Sequence, residues 1–394
     1  MSSIKNQITH LVDLTGFKHL KYLSFLVLLF LSSCQLDSRN VRSQLVAAAI
    51  PASGFMRADG SATQSFPEDH GSHPDYQTEW WYYTGNLETD AGRHFGYQLT
   101  FFRRALLPAT ERMPRESAWA TDQVYMAHFA LTDVDGREFS SFERFARGST
   151  GLAGVAADPF GVWLEDWKVE EIEPGVYMLM TSQDGLGLEL TLIDAKGPIL
   201  HGDQGYSQKG PEPGNASYYF SLTRLKSSGT VQVNEESFQV SGESWMDHEY
   251  STSVLSEGQI GWDWFSIQLD DGSELMVFHI RREDGRVDDF SSGSWIAADG
   301  TVTGLAREDY HIEVADTWQS PRRGAAYPSK WTISVPELEL VLSLEPFLPD
   351  QELNVSYSYW EGAVRAVGSR AGLPVNGHGY VEMTGYAGSI QGQF

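Results

Sequence analysis

Acidic and aromatic side chains are concentrated in two neighbouring segments of the chain. The first reads Trp-Met-Asp-His-Glu-Tyr at 245–250, and the second reads Gly-Trp-Asp-Trp-Phe at 261–265. A carboxyl buried beside indole rings loses its hydration, so its pKa rises and it can keep a proton at neutral pH. Such a group suits proton transfer to an apolar molecule. It suits a purely structural hydrogen-bond network equally well, because those networks also perturb pKa values.

Strand geometry sorts these side chains by face, because alternate residues of a β-strand point to opposite sides. Trp262 and Trp264 share one face of the second segment, while Asp263 lies on the other face among apolar residues. In the first segment the same alternation separates Asp247 from His248. The pattern predicts a raised pKa for Asp263 unless a cation or several hydrogen-bond donors compensate for burial.

Composition restricts the classes of protein to consider. The chain has 394 residues, of which 41% are hydrophobic and 12% aromatic, which indicates a globular protein long enough for two domains. With 53 acidic and 28 basic residues, the net charge of -25 disfavours nucleic acids and anionic membrane surfaces as partners. Cys34 is the only cysteine, which excludes an intrachain disulfide and a zinc site of paired cysteines.

The N-terminus has the pattern of a bacterial lipoprotein signal. Two lysines precede an apolar run at 23–31, which is too short to span a bilayer comfortably. The run continues into Leu-Ser-Ser-Cys, which resembles a lipobox, so we expect 1–34 to be a signal and Cys34 to be lipidated. A plain signal peptide with an incidental cysteine is the alternative. Gln35 resembles the sorting residue of outer-membrane lipoproteins, so we expect a lipid-anchored envelope protein facing the periplasm.

Residues 35–74 are rich in Ser, Ala, Gly and Pro and lack apolar periodicity, which predicts a flexible tether. This segment contains His70 and His73 in an acidic, Gly-rich loop. We expect the two histidines to be solvated and not to bind a metal. The loop directly precedes the first predicted core strand, a position from which it could lie over a barrel mouth.

From residue 75 onward, short segments rich in aromatic residues alternate with Gly and Asp turns. This pattern predicts an all-β, antiparallel protein. One short helix is predicted around Ser141–Arg147. The polar loop with His201, Asp203 and Lys209 is predicted to be solvated, and the alternative is that it lines an entrance. A Ser-Ser-Gly-Thr segment at 227–230 divides the chain into predicted domains 75–230 and 231–394.

The two halves repeat one another at an offset of 182 residues. Aligning Leu87 with Leu269 places Trp80 on Trp262 and Tyr82 on Trp264. Both copies then pass through an acidic turn into a strand that ends in an arginine pair. We interpret this order as duplication of one β-domain.

Several tryptophan-rich segments resemble the CrtC/AttH-like family: Glu79–Leu87, Trp245–Glu249, Gly261–Phe265, Tyr359–Ala363 and Gly379–Tyr386. The resemblance implies two consecutive lipocalin-like antiparallel β-barrels. Relatives include carotenoid 1,2-hydratases, which add water to an isolated C=C bond without a cofactor, and secreted proteins labelled hydrolases. Some relatives are encoded with ABC transporter components. Here Tyr250 stands where many relatives have tryptophan.

Alkene hydration requires a strong acid, a wall that tolerates a carbocation, and a placed water. Asp263 or Asp247 is the candidate proton donor, and His248 is the candidate group that orients the acid or accepts a proton from water. The candidate substrate-binding residues are aromatic or cationic neighbours of these acids: Trp245, Trp262, Trp264, Tyr250 and Arg281. Indole faces stabilise adjacent cations.

No Gly-x-Ser-x-Gly nucleophile motif and no His-Glu-x-x-His metal motif occur in the chain. Together with these residues, the resemblance implies a cofactor-free hydratase or lyase, without a metal, acting on an isoprenoid or another apolar, lipid-like molecule. The alternative from another class is a non-enzymatic lipid-binding accessory protein of an ABC-type export system. The sequence leaves open whether the protein is an enzyme.

Overall fold

The computed structural model describes residues 53–113, 116–252 and 255–388. The predicted signal segment, the lipobox and Cys34 lie outside the described residues. Within the described residues, no helix is both long enough and apolar enough to cross a membrane.

The described strands form two curled antiparallel sheets, which make two barrel-like halves. The strands of the first sheet are β1 (Thr78–Glu88), β2 (His94–Ala105), β3 (Gln123–Asp133), β4 (Glu138–Arg147), β5 (Ala153–Ala157), β6 (Phe160–Leu164), β7 (Trp167–Glu173), β8 (Val176–Gln183), β9 (Leu186–Asp194), β10 (Ile199–Leu200), β11 (Tyr206–Gln208), β12 (Ala216–Val233) and β13 (Glu236–Ser251). The strands of the second sheet are β14 (Gln259–Leu269), β15 (Glu274–Arg282), β16 (Ser292–Ile296), β17 (Val302–Leu305), β18 (His311–Gln319), β19 (Ala326–Val335), β20 (Leu340–Pro346), β21 (Glu352–Asn354), β22 (Ser358–Arg370) and β23 (Leu373–Met383).

The predicted all-β, lipocalin-like fold is confirmed. The helices of the described residues are three short 3₁₀ turns at Glu68–His70, Ala109–Glu111 and Pro336–Leu338. The helix predicted around Ser141–Arg147 is wrong, because those residues belong to β4. All of β4 pairs in register with β3, from Arg147 opposite Val124 to Glu138 opposite Asp133.

The two sheets share one strand order. In each sheet the first strand pairs with both the second and the last strand, so β1 lies between β2 and β13, and β14 lies between β15 and β23. The next-to-last strands also correspond, because β12 pairs with β13 and β22 pairs with β23. This equivalence of β1 with β14 agrees with the duplication inferred from the sequence.

Each half has its own apolar interior, and the outer faces of the two halves meet. Inside the first sheet lie residues such as Trp81 and Met246, and inside the second lie residues such as Phe265 and Val381. A third cluster joins the outward faces of both sheets, with Trp245 from β13 and Trp264 from β14. Because side chains alternate along a strand, β13 and β14 each contribute to one interior and to this third cluster, which forms the seam between the two halves.

The change from one sheet to the other occurs between Ser251 and Gln259. The predicted domain division at residue 230 falls inside β12, which runs to Val233 and forms a hairpin with β13. The Ser-Ser-Gly-Thr segment is thus part of a long strand and not a linker. Ser, Gly and Thr are common in turns, so composition alone places the domain division inside this strand.

The described part of the predicted tether, residues 53–74, is packed on the first sheet. His70 is buried, and its backbone oxygen accepts a hydrogen bond of 3.0 Å from the Trp81 indole. Phe66 packs edge to face on Phe220 at 4.8 Å between ring centroids. A flexible tether is therefore the wrong description of 53–74, because Phe66 and His70 pack against the core of the first barrel-like half.

Candidate active site

A cavity lies in the seam between the two sheets. It is open to solvent at its mouth, and the space inside it that can hold the centres of water-sized molecules is about 80 Å³. Its walls are mainly aromatic and apolar: Trp80, Tyr82, Phe102, Tyr219, Leu255, Trp262, Trp264, Phe278 and Ile280. The charged or titratable groups that reach it are Asp247, Glu249, Glu382 and Lys209. A hollow lined by rings and a few carboxyls suits an apolar small molecule.

Asp247 from β13 lies in the wall of this cavity and is held by three donors. The Trp245 indole donates to Oδ1 at 2.6 Å, the Tyr219 hydroxyl donates to Oδ2 at 2.7 Å, and the Ser221 hydroxyl also donates to Oδ1. Burial raises the pKa of Asp247 to about 7, despite these hydrogen bonds, which favour the ionised form. Asp247 can therefore exist in either protonation state near neutral pH.

The hydrogen-bond network behind Asp247 extends to His201. One ring nitrogen of His201 is 2.7 Å from the Ser221 hydroxyl and the other is 2.9 Å from the Ser294 hydroxyl. Burial lowers the pKa of His201 to about 3, so the imidazole is neutral. The prediction that the loop containing His201 is solvated is wrong for this residue, because its ring packs against Tyr219 at 4.4 Å between centroids.

Glu382 from β23 is the second carboxyl of the cavity. The Trp262 indole donates to its Oε2 at 2.8 Å. Burial is the main reason that the pKa of Glu382 rises to about 8, and the nearby carboxyls of Asp247 and Glu249 raise it further. No side chain of the described residues hydrogen-bonds the other oxygen, Oε1, which leaves that atom available to a bound molecule.

Glu249 and Lys209 form a polar corner of the same cavity. The ammonium of Lys209 is 3.3 Å from Glu249 Oε1 and 4.2 Å from the centre of the Phe278 ring. The Ser217 hydroxyl donates to the same carboxylate oxygen. This corner offers charged partners for a water molecule or for the polar end of a ligand.

Asp263 lies on the opposite face of β14 from the cavity. Arg281 donates to its Oδ1 at 3.0 Å and the Tyr386 hydroxyl donates to Oδ2 at 3.0 Å. Burial raises the pKa of Asp263, while the guanidinium acts in the opposite direction. The structure therefore separates Asp263 and Arg281 from Asp247 and from the tryptophan wall.

His248 points into the first barrel-like half, away from Asp247. Its Nε2 is 2.9 Å from Glu79 Oε1, and its ring stacks on Trp81 at 4.8 Å between centroids. Arg103 donates to Glu79 Oε2 at 2.7 Å, and His73 Nδ1 lies 2.7 Å from Glu79 Oε1. His248 is thus part of a buried ion-pair network and not of the cavity.

His73, Glu79 and His248 bring three possible metal-ligand atoms within 4.8 Å of one another. Their existing partners oppose a metal ion. Arg103 already occupies the second oxygen of Glu79, and the hydrogen bonds that the His73 ring donates to Asp69 and Glu79 raise the pKa of His73 to about 9 against the effect of burial. An imidazolium cannot ligate a cation. The expectation that His73 is solvated is wrong, because it bridges two carboxylates.

Of the predicted site residues, the structure brings four together at the cavity: Asp247, Trp245, Trp262 and Trp264. Tyr250 lies elsewhere, stacked on His73 at 3.5 Å between ring centroids. Sequence reasoning missed Tyr219, Glu382 and Glu361, whose Oε2 accepts a hydrogen bond of 2.8 Å from the Tyr82 hydroxyl of the cavity wall. It offered His201 only as part of a loop that could line an entrance. Strand alternation places Tyr380 and Glu382 on one face of β23. Because the duplication aligns β1 with β14, the last strand of the second sheet could have been searched for a carboxyl equivalent to Asp247, which is Glu382.

Fold and site together define a class: a β-protein of two lipocalin-like halves with an acid-containing aromatic cavity at their seam. The AttH-like family model matches residues 57–386, and the chain belongs to this family. The comparison with curated proteins gives no match.

Two solved structures show how far the similarity extends. An AttH-type protein from Nitrosomonas europaea is 33% identical, with a TM-score of 0.76 over 84% of this chain and 99% of the other. Kievitone hydratase from Nectria haematococca is 14% identical, with a TM-score of 0.63 over 85% of this chain and 98% of the other. At that identity the second likeness is one of fold.

Proposed function

We propose that the protein is a cofactor-free hydratase or lyase that acts on an isoprenoid or another apolar, lipid-like alkene bound in the seam cavity. The observation that carries this proposal is Asp247, a buried carboxyl in an aromatic wall whose pKa of about 7 allows proton transfer in both directions. Kievitone hydratase, a hydratase by name, has the same fold. The assignment here depends on Asp247 and not on that likeness.

The cavity residues supply what addition of water to an alkene needs. The rings of Trp264 and Tyr219 face the hollow, and π-faces stabilise the positive charge of a carbocation. Asp247 exchanges the proton, and Ser221 with neutral His201 holds its carboxyl in place. Elimination of water is the same sequence in reverse, so the site supports hydratase and lyase directions equally.

The test is incubation of the purified protein with farnesol in ¹⁸O-labelled water, followed by mass spectrometry of labelled alcohol products. Asp247→Asn should reduce turnover by about 10² to 10⁴-fold, the usual contribution of a general acid–base group, while farnesol affinity stays unchanged. Trp264→Ala should weaken farnesol binding itself. Full turnover by Asp247→Asn would exclude Asp247 as the proton-transfer group.

A lipid-binding accessory protein of an ABC-type export system is the second candidate. The indole N–H groups of Trp262 and Trp264 favour it. Both already donate to protein acceptors, so these two side chains offer a ligand only their ring faces. In this case Asp247→Asn would change nothing, and Trp264→Ala would abolish lipid retention. Mass spectrometry of lipids that co-purify with the detergent-extracted protein separates the two, since an isoprenoid favours the enzyme and a phospholipid favours the carrier.

Either activity would take place in the bacterial envelope, with the protein anchored through lipid on Cys34 and facing the periplasm from the outer membrane. The lipobox resemblance supports this location. A Cys34→Ser variant should leave the membrane fraction and appear in the soluble periplasmic fraction. Unchanged membrane association of that variant would argue against the lipid anchor.

A further inference from the structure

Asp247 has a counterpart in the second sheet. Tyr82 of β1 lies opposite Asp247 of β13, and Trp264 of β14 lies opposite Glu382 of β23. The duplication aligns Tyr82 with Trp264, and in each sheet the first strand pairs with the last. Asp247 and Glu382 therefore occupy corresponding positions in the two copies, and both line the cavity.

The two carboxyls differ in what surrounds them. Both oxygens of Asp247 accept hydrogen bonds from protein donors, which stabilise an ionised carboxylate. Glu382 accepts one hydrogen bond, from Trp262, and within the described residues its Oε1 has no protein partner. A carboxyl with a free oxygen toward an apolar hollow is suited to carry a proton, and a carboxylate held by three donors is suited to accept one.

A third carboxyl stands directly behind Glu382. Glu361 of β22 pairs with Glu382 across the two strands, at the position that Ser221 takes relative to Asp247. Glu361 is fully buried, and its Oε2 accepts a hydrogen bond of 2.8 Å from the Tyr82 hydroxyl. Its Oε1 has no hydrogen-bond partner among the residues that the structure describes. Side chains directly opposite on neighbouring strands lie about 5 Å apart, so these two carboxyls cannot both ionise readily.

We propose that Glu382 is the proton donor of the seam cavity, complementary to Asp247, and that Glu361 is a positioning residue whose buried carboxyl is coupled to that of Glu382. This rests on the function proposed above. In the hydration direction, the O–H bond of Glu382 breaks and a C–H bond forms with the alkene π electrons. The carbocation that results lies against Trp264. Water then forms the C–O bond, and its proton passes to the Asp247 carboxylate.

The cycle closes when Asp247 releases its proton to solvent and Glu382 takes one up, so protons and electrons balance. The titratable and charged groups facing Glu382 and Glu361 come from several strands: Tyr82 of β1, Tyr219 of β12, Asp247 and Glu249 of β13, Tyr357 and Tyr359 of β22, Tyr380 of β23, and Lys209 at the cavity wall. Asp247 and Glu249 among them raise the pKa of Glu382, so Glu382 stays protonated, as a proton donor must.

The first measurement does not depend on turnover. Infrared titration of the C=O stretch of protonated carboxyls should show a band in the wild type that persists above pH 7. Glu382→Gln should remove the part of this band that belongs to Glu382, while the buried carboxyl of Glu361 keeps its own contribution. In Asp247→Asn this band should disappear at lower pH than in the wild type, because a neighbouring negative charge has been removed. Glu345→Gln, at an exposed carboxyl, is the control and should leave the band unchanged. A band that is insensitive to Glu382→Gln would overturn the assignment.

The second measurement is turnover of farnesol in ¹⁸O-labelled water. Glu382→Gln should lose turnover by about 10²-fold or more while keeping farnesol affinity. Glu361→Gln should retain turnover but shift the alkaline limb of the pH–rate profile, and Glu361→Asp should restore the profile in part. Wild-type turnover by Glu382→Gln would overturn this inference and leave the proposed function standing. Absence of turnover from the wild type would overturn the proposed function itself.

Discussion

At the scale of single residues, neighbours in the sequence have separate tasks because the strand alternates. Asp247 faces the seam cavity, while His248 faces the interior of the first half and pairs with Glu79. In β14 the same rule separates Trp264 from Asp263. Residues that are neighbours in the sequence thus lie in three different places: the seam, the interior of the first half and the far face of β14. The proposed chemistry is confined to the seam.

Glu79 gives a prediction at this scale. Its carboxylate is fully buried and paired with Arg103, and the pKa of Glu79 lies well below its usual range, mainly because that guanidinium outweighs the cost of burial. Glu79→Gln should destabilise the fold by about 3 to 5 kcal/mol, since it leaves the Arg103 charge buried without a counterion. Urea unfolding measures the change.

The matched control is Glu345→Gln, which breaks the exposed ion pair with Lys330, whose two side chains are each 46% exposed. Exposed pairs contribute about 0 to 1 kcal/mol, so this variant should unfold nearly as the wild type does. Equal destabilisation by Glu79→Gln and Glu345→Gln would contradict the view that burial makes the Glu79 network structural.

Candidate residues could be predicted only in part from the sequence. Asp247, Trp262 and Trp264 were found because acids among tryptophans are visible in one dimension. The raised pKa of Asp263 was predictable from strand alternation, but its ion pair with Arg281 at 3.0 Å was not, since it depends on the pairing of β14 with β15. Glu382 lies far along the chain, and only strand pairing brings it to Asp247.

At the scale of elements, β13 supplies Asp247 and Glu249 to the cavity, and its pairing on both edges fixes its register. Asp247 lies opposite Tyr82 on one side and opposite Ser221 on the other. A shift of one residue would exchange Asp247 with His248 between cavity and interior. The strand segments were predictable from alternation and turns, whereas the pairing of β13 with β1 joins residues far apart in sequence and was not.

Gly242 tests the importance of this pairing. It lies in β13 opposite Leu87 of β1, where an added Cβ would overlap the carbonyl oxygen of Asn86. Gly242→Ala should cost about 1 to 3 kcal/mol, the usual cost of overpacking, because a paired backbone cannot easily move. Gly304→Ala in β17, where an added Cβ meets nothing within 4 Å, is the control. Thermal unfolding that ranks the two variants equally would contradict the prediction.

At the scale of the whole molecule, the seam carboxyls couple stability to pH. Burial raises the pKa of Asp247 from 3.8 to about 7 and that of Glu382 from 4.5 to about 8. The folded state therefore holds protons that the unfolded state releases above about pH 4. Their contribution to stability is complete below the unfolded pKa values and is lost as pH rises toward 7 and 8.

The double variant Asp247→Asn/Glu382→Gln removes this dependence. Relative to the wild type, its free energy of unfolding should increase by a few kcal/mol between pH 5 and pH 8, since each proton released contributes about 1.4 kcal/mol per pH unit. Urea titrations at the two pH values give the difference and cancel the contribution of other groups. A difference that is constant with pH would show that the two carboxyls are already ionised in the folded protein.

The connection between the sheets has a consequence for how the protein can be taken apart. The cavity receives Asp247 from one sheet and Glu382 from the other, and the chain crosses between them once, within residues 252–258. Two polypeptides divided at that crossing would each carry a complete set of strands but only half of the lining. Mixed together, they should regain ligand capture by non-covalent reassembly, which neither fragment achieves by itself.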